Sequence, residues 1–473
     1  MYSENNKAAV EGGKSIKAPK YRAFHLRNFR KIPQVQEIFN EEELFAMEVV
    51  GTVLPFKANN YVVDKLIDWD RVPEDPIFKL TFPQRNMLTE EHFDKMASAL
   101  KDESATKQEI GRVANEIRMD LNPHPAGQLD YNVPIYNGQK VEGMQHKYNE
   151  TALFFPKQSQ TCHAYCTFCF RWPQFVGIEE LKFSGKDIDL ALKYISEHPE
   201  ITDFLFTGGD PMVLSPKIFK KYVDAIVDAE IPHLKTIRIG TKSLGYWPYK
   251  FFADKDYELV LQSFKNLKRA GKHVSIMAHF NHFQEQKTRE LQLALEKIYE
   301  TGANVRTQSP IFRYINDSSD VWATMWQEQI NLKMIPYYMF MARDTGAKHY
   351  FDVPLVRAWQ IYRNAYKQVS GLARTVRGPS MSCGPGKVQI LGVVKVRGEK
   401  VLALRFLQGR NENWVQRPFF AEYDEKASWL TDLKPAFGEE KFFFEDELKN
   451  IYEQKTAEIM QLENVLSGDD EIR

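Results

Sequence analysis

Ala152-Leu153-Phe154-Phe155, followed shortly by Thr161-Cys162-His163-Ala164-Tyr165-Cys166-Thr167-Phe168-Cys169-Phe170-Arg171, sets a short β-run directly ahead of three cysteines. Thiolates at C-x3-C-x2-C spacing can hold three irons of a cubane [4Fe–4S] cluster, which takes a cysteine on every iron when it only carries electrons. The fourth iron is left open, and an open coordination position is where a metal site does chemistry. Two other readings fit the same residues: a zinc knuckle with His163 or the distant Cys383 as fourth ligand, or three buried small hydrophobes. Zinc sites usually pair two knuckles, and no second knuckle occurs in the chain.

Outward from this stretch, β-rich runs recur at Asp203–Thr207, Lys235–Gly240, His273–Ala278, Asn304–Gln308 and Lys333–Phe340. Helix-length periodic segments such as Ile188–Glu197 and Arg289–Tyr299 separate them, the pattern of repeated βα units and a parallel sheet. Counting Ala152–Phe155, six repeats predict an α/β fold, an open partial TIM-like (β/α)6 barrel with its reactive groups at the C-terminal ends of the strands. The cysteine loop leaves the first strand at that end.

The flanks read differently. Residues 1–20 are polar and are expected as a flexible tail, and residues 21–149 as a helical region, with one helix opened by Thr89-Glu90-Glu91. The barrel is expected over 150–370. Residues 371–425 carry a Gly- and Pro-punctuated segment and a hairpin, Val388–Val396 and Lys400–Phe406 around Arg397-Gly398-Glu399. Residues 426–473 are expected as a charged helical extension.

With 63 lysines plus arginines against 63 aspartates plus glutamates, no global field draws nucleic acid or an anionic membrane. Four cysteines, three of them in one motif, leave no disulfide framework and predict a reducing compartment. No apolar run approaches the ~18 residues of a membrane span, so a cytoplasmic protein is expected.

Thr207-Gly208-Gly209-Asp210, Ile237-Arg238-Ile239-Gly240, Ala278-His279-Phe280-Asn281-His282 and Gln308-Ser309-Pro310-Ile311 follow the cysteine motif in order. In these the chain resembles the lysine 2,3-aminomutase family of radical S-adenosylmethionine (SAM) enzymes, from about Asp75 to Tyr423. The resemblance implies that Cys162, Cys166 and Cys169 hold the cluster, that SAM fills its open iron, and that an electron from the cluster cleaves SAM to a 5′-deoxyadenosyl radical. It places the SAM amino group on Gly208, Gly209 and Asp210: two glycines let backbone carbonyls approach, and a carboxylate offsets positive charge. Gln308 falls among the cofactor-binding residues by the same resemblance.

Ser382-Cys383-Gly384-Pro385-Gly386-Lys387 looks like the glycine-rich segment in which the family places its pyridoxal 5′-phosphate (PLP) lysine, here Lys387. His146-Lys147-Tyr148 resembles the segment that holds the PLP phosphate, with Lys147 where arginine is usual. Arg171 matches the arginine that grips the substrate carboxylate. The implied reaction moves an α-amino group to the β-carbon, with a flavodoxin or ferredoxin as electron donor; self-association through the flanks is a further expectation.

The resemblance weakens at the substrate side chain. Lysine-specific members hold the distal ammonium with two aspartates, but Val376–Cys383 contains no acid, and Asp344 is offset relative to His349. A buried ammonium without a paired carboxylate costs several kcal/mol. Arg343, Arg377 and Lys348 suit an acidic side chain instead. Two other functions remain open from the sequence: a radical SAM enzyme acting on a protein side chain without PLP, and an iron–sulfur or zinc protein with no SAM chemistry.

Overall fold

The computed structural model describes residues 10–11, 14–15, 17–122, 131–176 and 183–467. Most of the expected tail lies outside the described residues; within it Val10–Glu11 pairs with Lys14–Ser15. In the next region, helices α1 (Glu41–Val53), α2 (Glu90–Lys101) and α3 (Lys107–Asp120) pack on one another. The Thr89 hydroxyl accepts from His92 N at 3.2 Å and caps α2, as its sequence predicts, while Phe93, Met96 and Ala97 form the buried face. This region is not wholly helical. A short antiparallel pair, Ala23–Phe24 with Ala58–Asn59, carries Lys57 and Asn59 toward the cysteine loop.

An 11-stranded mixed sheet organises the rest. Its strands are β1 (Met144–Tyr148), β2 (Thr151–Phe154), β3 (Asp203–Phe206), β4 (Thr236–Thr241), β5 (His273–His279) and β6 (Asn304–Pro310). They continue as β7 (Ile335–Phe340), β8 (Arg377–Ser382), β9 (Gly386–Val396), β10 (Glu399–Gly409) and β11 (Pro418–Glu422). Strands β2 to β8 run parallel, each joined to the next by a helix. The parallel strands therefore number seven rather than six. Gly378-Pro379 reads as a break in sequence, but β8 still pairs with β7, with a register shift where the proline offers no N–H. A Cβ on Gly378 would lie 2.4 Å from Met339 O, so only glycine permits that approach.

His146-Lys147-Tyr148, expected ahead of the first strand, is itself a strand, folded back on β2 through the two-residue turn Asn149-Glu150. The hairpin of β9 and β10 forms where the sequence places it, extended at both ends. A long charged helix, α4 (Glu445–Ser467), follows.

Burial alternates along the parallel strands: Phe204, Phe206, Ile237, Ile239 and Val305 are buried, whereas Asp203, Arg238, Arg306 and Gln308 stay partly open. Period-two alternation inside a parallel sheet means that one face packs on helices and the other lines a space. The sheet curls around that space. Seven strand spacings separate β1 from β8, roughly 34 Å in a flat sheet, yet Lys147 of β1 donates to Cys383 O just past β8. Gln408 of β10 reaches Glu150 Oε1 at 2.5 Å, and Arg410 reaches Asn132 Oδ1 at 2.6 Å. Side chains, not a strand ladder, bridge this seam. Among the described residues no helix is long and apolar enough to cross a membrane.

Candidate active site

The cysteine loop leaves the C-terminal end of β2 and is held from below by the turn after β3. Gly209 N and Asp210 N both donate to Ser159 O, at 3.0 and 3.1 Å. A Cβ on Gly209 would lie 2.4 Å from Thr161 O, and Gly208 has φ +141°. Both glycines are thus required for the turn to press against the residues immediately before Cys162.

Asp210 differs from its expected role. Its carboxylate, 2% exposed, accepts from Met212 N (2.9 Å), Thr241 Oγ1 (2.7 Å), Lys242 N (2.9 Å) and Ser243 Oγ (2.9 Å). Both oxygens are occupied by protein donors, so the carboxylate ties the turn after β3 to the turn after β4 instead of facing a ligand. Burial raises its pKa and the four donors oppose that. The Ser243 hydroxyl, having given its proton to Asp210, accepts from His163 Nδ1 at 2.9 Å. Burial lowers the His163 pKa to about 3, so that ring is neutral. Replacing Asp210 by alanine strands four buried donors. We expect a stability loss of ~3 kcal/mol, read as a lowered thermal midpoint, with partial recovery in Asp210→Asn.

Cys162, Cys166 and Cys169 are partly exposed and influence one another electrostatically. Burial pushes the thiols up, Cys166 to about 12 and Cys169 to about 11. Each is offset by its own cation: Lys57 at Cys162, Lys242 at Cys166 and Arg171 at Cys169. Bound metal removes such protons outright. Among the described residues no three His, Cys, Asp or Glu side chains could hold a single metal ion. A cubane puts each thiolate on its own iron and does not require the sulfurs to meet at one point, so three thiols on one loop, each facing a cation, fit a cluster better than a zinc knuckle.

The residues that brace this loop come from the N-terminal region and carry no local signal. Lys57 Nζ donates to Cys162 O at 2.6 Å, and Tyr21 donates to His163 O at 2.6 Å. Buried Asn59 donates to both His163 O and Tyr246 O. Nothing in Lys57-Ala58-Asn59 marks this function.

At the seam lie the residues of the glycine-rich segment. Lys387 Nζ sits 4.2 Å from the Tyr338 ring centroid and 5.4 Å from that of Phe340. Burial, then Arg238 and Arg377, lowers its amine to about 7. Lys147, beside Cys383 O, is likewise lowered to about 7 by burial and then by Arg410. Tyr148 is half-buried next to it, its hydroxyl pKa raised by desolvation. Cys383 is 5% exposed and donates to Gly386 O at 3.3 Å. Gln308 donates to His279 Nε2 at 2.6 Å at the ends of β6 and β5.

Two arginines connect the halves. Arg171 lies over the Phe155 ring at 4.1 Å, with Nη1 buried and unpartnered among the described residues. Arg343 lies 5.0 Å from the Phe170 centroid, near Asp344, Cys383 and Tyr148, and no hydrogen bond to its guanidinium occurs among the described residues. Arg171 and Arg343 also sense each other's charge. Arg377 sits at the start of β8 over Tyr337 and Tyr338, on the Lys387 side of the site, and Lys348 is only partly buried at the start of a short helix.

No protein-family model matches the chain. It is 32% identical over 352 residues to a provisionally named L-lysine 2,3-aminomutase of Aquifex aeolicus, covering 74% of this chain and 81% of that one. An L-lysine 2,3-aminomutase of Bacillus subtilis is 26% identical, covering 68% and 67%. A glutamate 2,3-aminomutase of Clostridioides difficile is 27% identical, covering 53% and 56%.

Proposed function

The chain belongs to the lysine 2,3-aminomutase family, and on that premise we propose that it is a radical SAM, PLP-dependent isomerase that moves the α-amino group of an acidic amino acid to the β-carbon. One observation carries the reading: Cys169, Arg171, Arg343, Lys147 and Lys387 form an unbroken series of electrostatic neighbours from the cysteine loop to the glycine-rich segment. The parallel strands are read as an open partial TIM-like barrel with this series at its mouth. When bound, the cluster with SAM supplies the radical and PLP supplies the carbonyl that carries the amino group.

The side chains then divide the work. Cys162, Cys166 and Cys169 hold three irons, and the carbonyls of Gly208 and Gly209 receive the SAM amino group. Lys387 attaches PLP; Lys147 and Arg410, which also donates to Gly384 O, balance the phosphate. Arg171 takes the substrate α-carboxylate through the guanidinium edge that lacks a partner. Arg343 takes the distal carboxylate, consistent with the relative named for glutamate. A flavodoxin- or ferredoxin-type reductant in a reducing cytoplasm completes the reading.

The test is borohydride reduction of the PLP-loaded protein followed by peptide mapping. Label on Lys387 is expected. An amine whose pKa is lowered to about 7 is about half neutral at that pH, so PLP uptake by the apoprotein should fall as pH drops through 7 and level off above it. Label on another lysine, or uptake that keeps rising toward pH 10 as for an ordinary lysine, would sink the assignment.

A further inference from the structure

Tyr246 has no place in the reaction so far, yet its hydroxyl lies 3.2 Å from Cys166 Sγ. The residue is 1% exposed, and its hydroxyl meets no other hydrogen-bond partner among the described residues. A thiolate bound to iron has no proton to give, so in the metallated protein the tyrosine must be the donor.

The placement is held from four sides. Tyr246 O accepts from Asn59 Nδ2 at 3.0 Å, and Tyr246 N donates to Lys242 O at 2.9 Å. The Lys242 ammonium sits 4.3 Å from the Tyr246 ring centroid and pairs with fully buried Glu285. A Cβ on Gly245 would lie 2.9 Å from Glu285 Oε1, so the residue before the tyrosine is kept small. The short helix Ser243–Tyr246 hangs from Asp210 through Thr241, Lys242 N and Ser243 Oγ. The Gly-Gly-Asp turn, braced against the residues before Cys162, is thereby also coupled to the tyrosine at Cys166.

We infer that Tyr246 is a positioning residue that sets the reduction potential of the cluster through an O–H···S bond to Cys166. Reduction adds an electron whose charge spreads onto the sulfurs, so a donor there stabilises the reduced form more than the oxidised one and raises the potential. The inference rests on the cluster reading above and adds a role in electron uptake.

The experiment is an EPR-monitored redox titration of Tyr246→Phe beside the wild-type protein, both purified and reconstituted anaerobically. Equal iron and sulfide are expected, with about tenfold less reduced cluster at a fixed potential, a downward shift of about 59 mV for a one-electron couple. An unshifted midpoint overturns the inference. If the phenylalanine protein does not hold its cluster, resonance Raman spectra of the wild-type protein in H2O and D2O decide: an isotope shift in the Fe–S(Cys) stretches supports the bond and its absence overturns it. Wild-type protein that takes up no iron at all would overturn the cluster reading itself, and this inference with it.

Discussion

Cys166→Ala protein, purified anaerobically, is expected to lose both the [4Fe–4S] spectrum and all SAM cleavage, and Cys162→Ala and Cys169→Ala should match it. In the proposed cluster each thiolate would be the protein's hold on one iron, while the His163 Nδ1 edge is committed to Ser243 and Cys383 sits beside Lys147. Cys383→Ala is the control, expected to keep the spectrum and the cleavage. Measurement of 5′-deoxyadenosine under dithionite, with iron analysis, separates the cases. Full cleavage by the Cys166→Ala protein would remove the central claim.

The second large effect concerns substrate choice. L-Glutamate is expected to give the β-amino acid at least about 10³-fold more efficiently than L-lysine. A distal ammonium placed beside Arg343 would lose its hydration and meet a like charge, ~4 kcal/mol or more against it. A carboxylate there would instead satisfy a guanidinium that has no hydrogen-bonded partner among the described residues. The reduced enzyme, SAM and a panel of L-amino acids, analysed for β-amino acids by chromatography, give the ratio. Arg343→Gln should raise KM for the acidic substrate far more than it lowers kcat. Efficient turnover of L-lysine to β-lysine would defeat the assignment and would bring Asp344 back as its partner.

Much of the architecture was legible because it is periodic or local. The predicted β-runs from Asp203 to Phe340 match β3 to β7 within a residue or two, since alternating burial writes itself directly into the sequence. β8 escaped because Gly378-Pro379 is punctuation by every local rule, and only the approach to Met339 makes it a strand. The charge of Arg238 inside the apolar run Ile237-Arg238-Ile239 was legible. Its pairing with Asp203 at 2.7 Å and its effect on Lys387 were not.

Groups that lie within short stretches are legible from the chain alone. Three thiols within eight residues, two glycines in a tight turn and a lysine after a glycine-rich segment are fixed by chain connectivity, whatever surrounds them. Tertiary structure decided what those groups meet. It turned the Asp210 carboxylate from ligand-facing to structural, brought Lys57, Lys242 and Arg171 each to one cysteine, aimed Tyr246 at Cys166, and put Arg343 but not Arg377 next to Arg171. These partners lie far apart along the chain, and no local rule ranks one distant donor or cation over another. Their selection follows from which side chains the folded core leaves within hydrogen-bonding or Coulombic reach, where desolvation makes each remaining contact count.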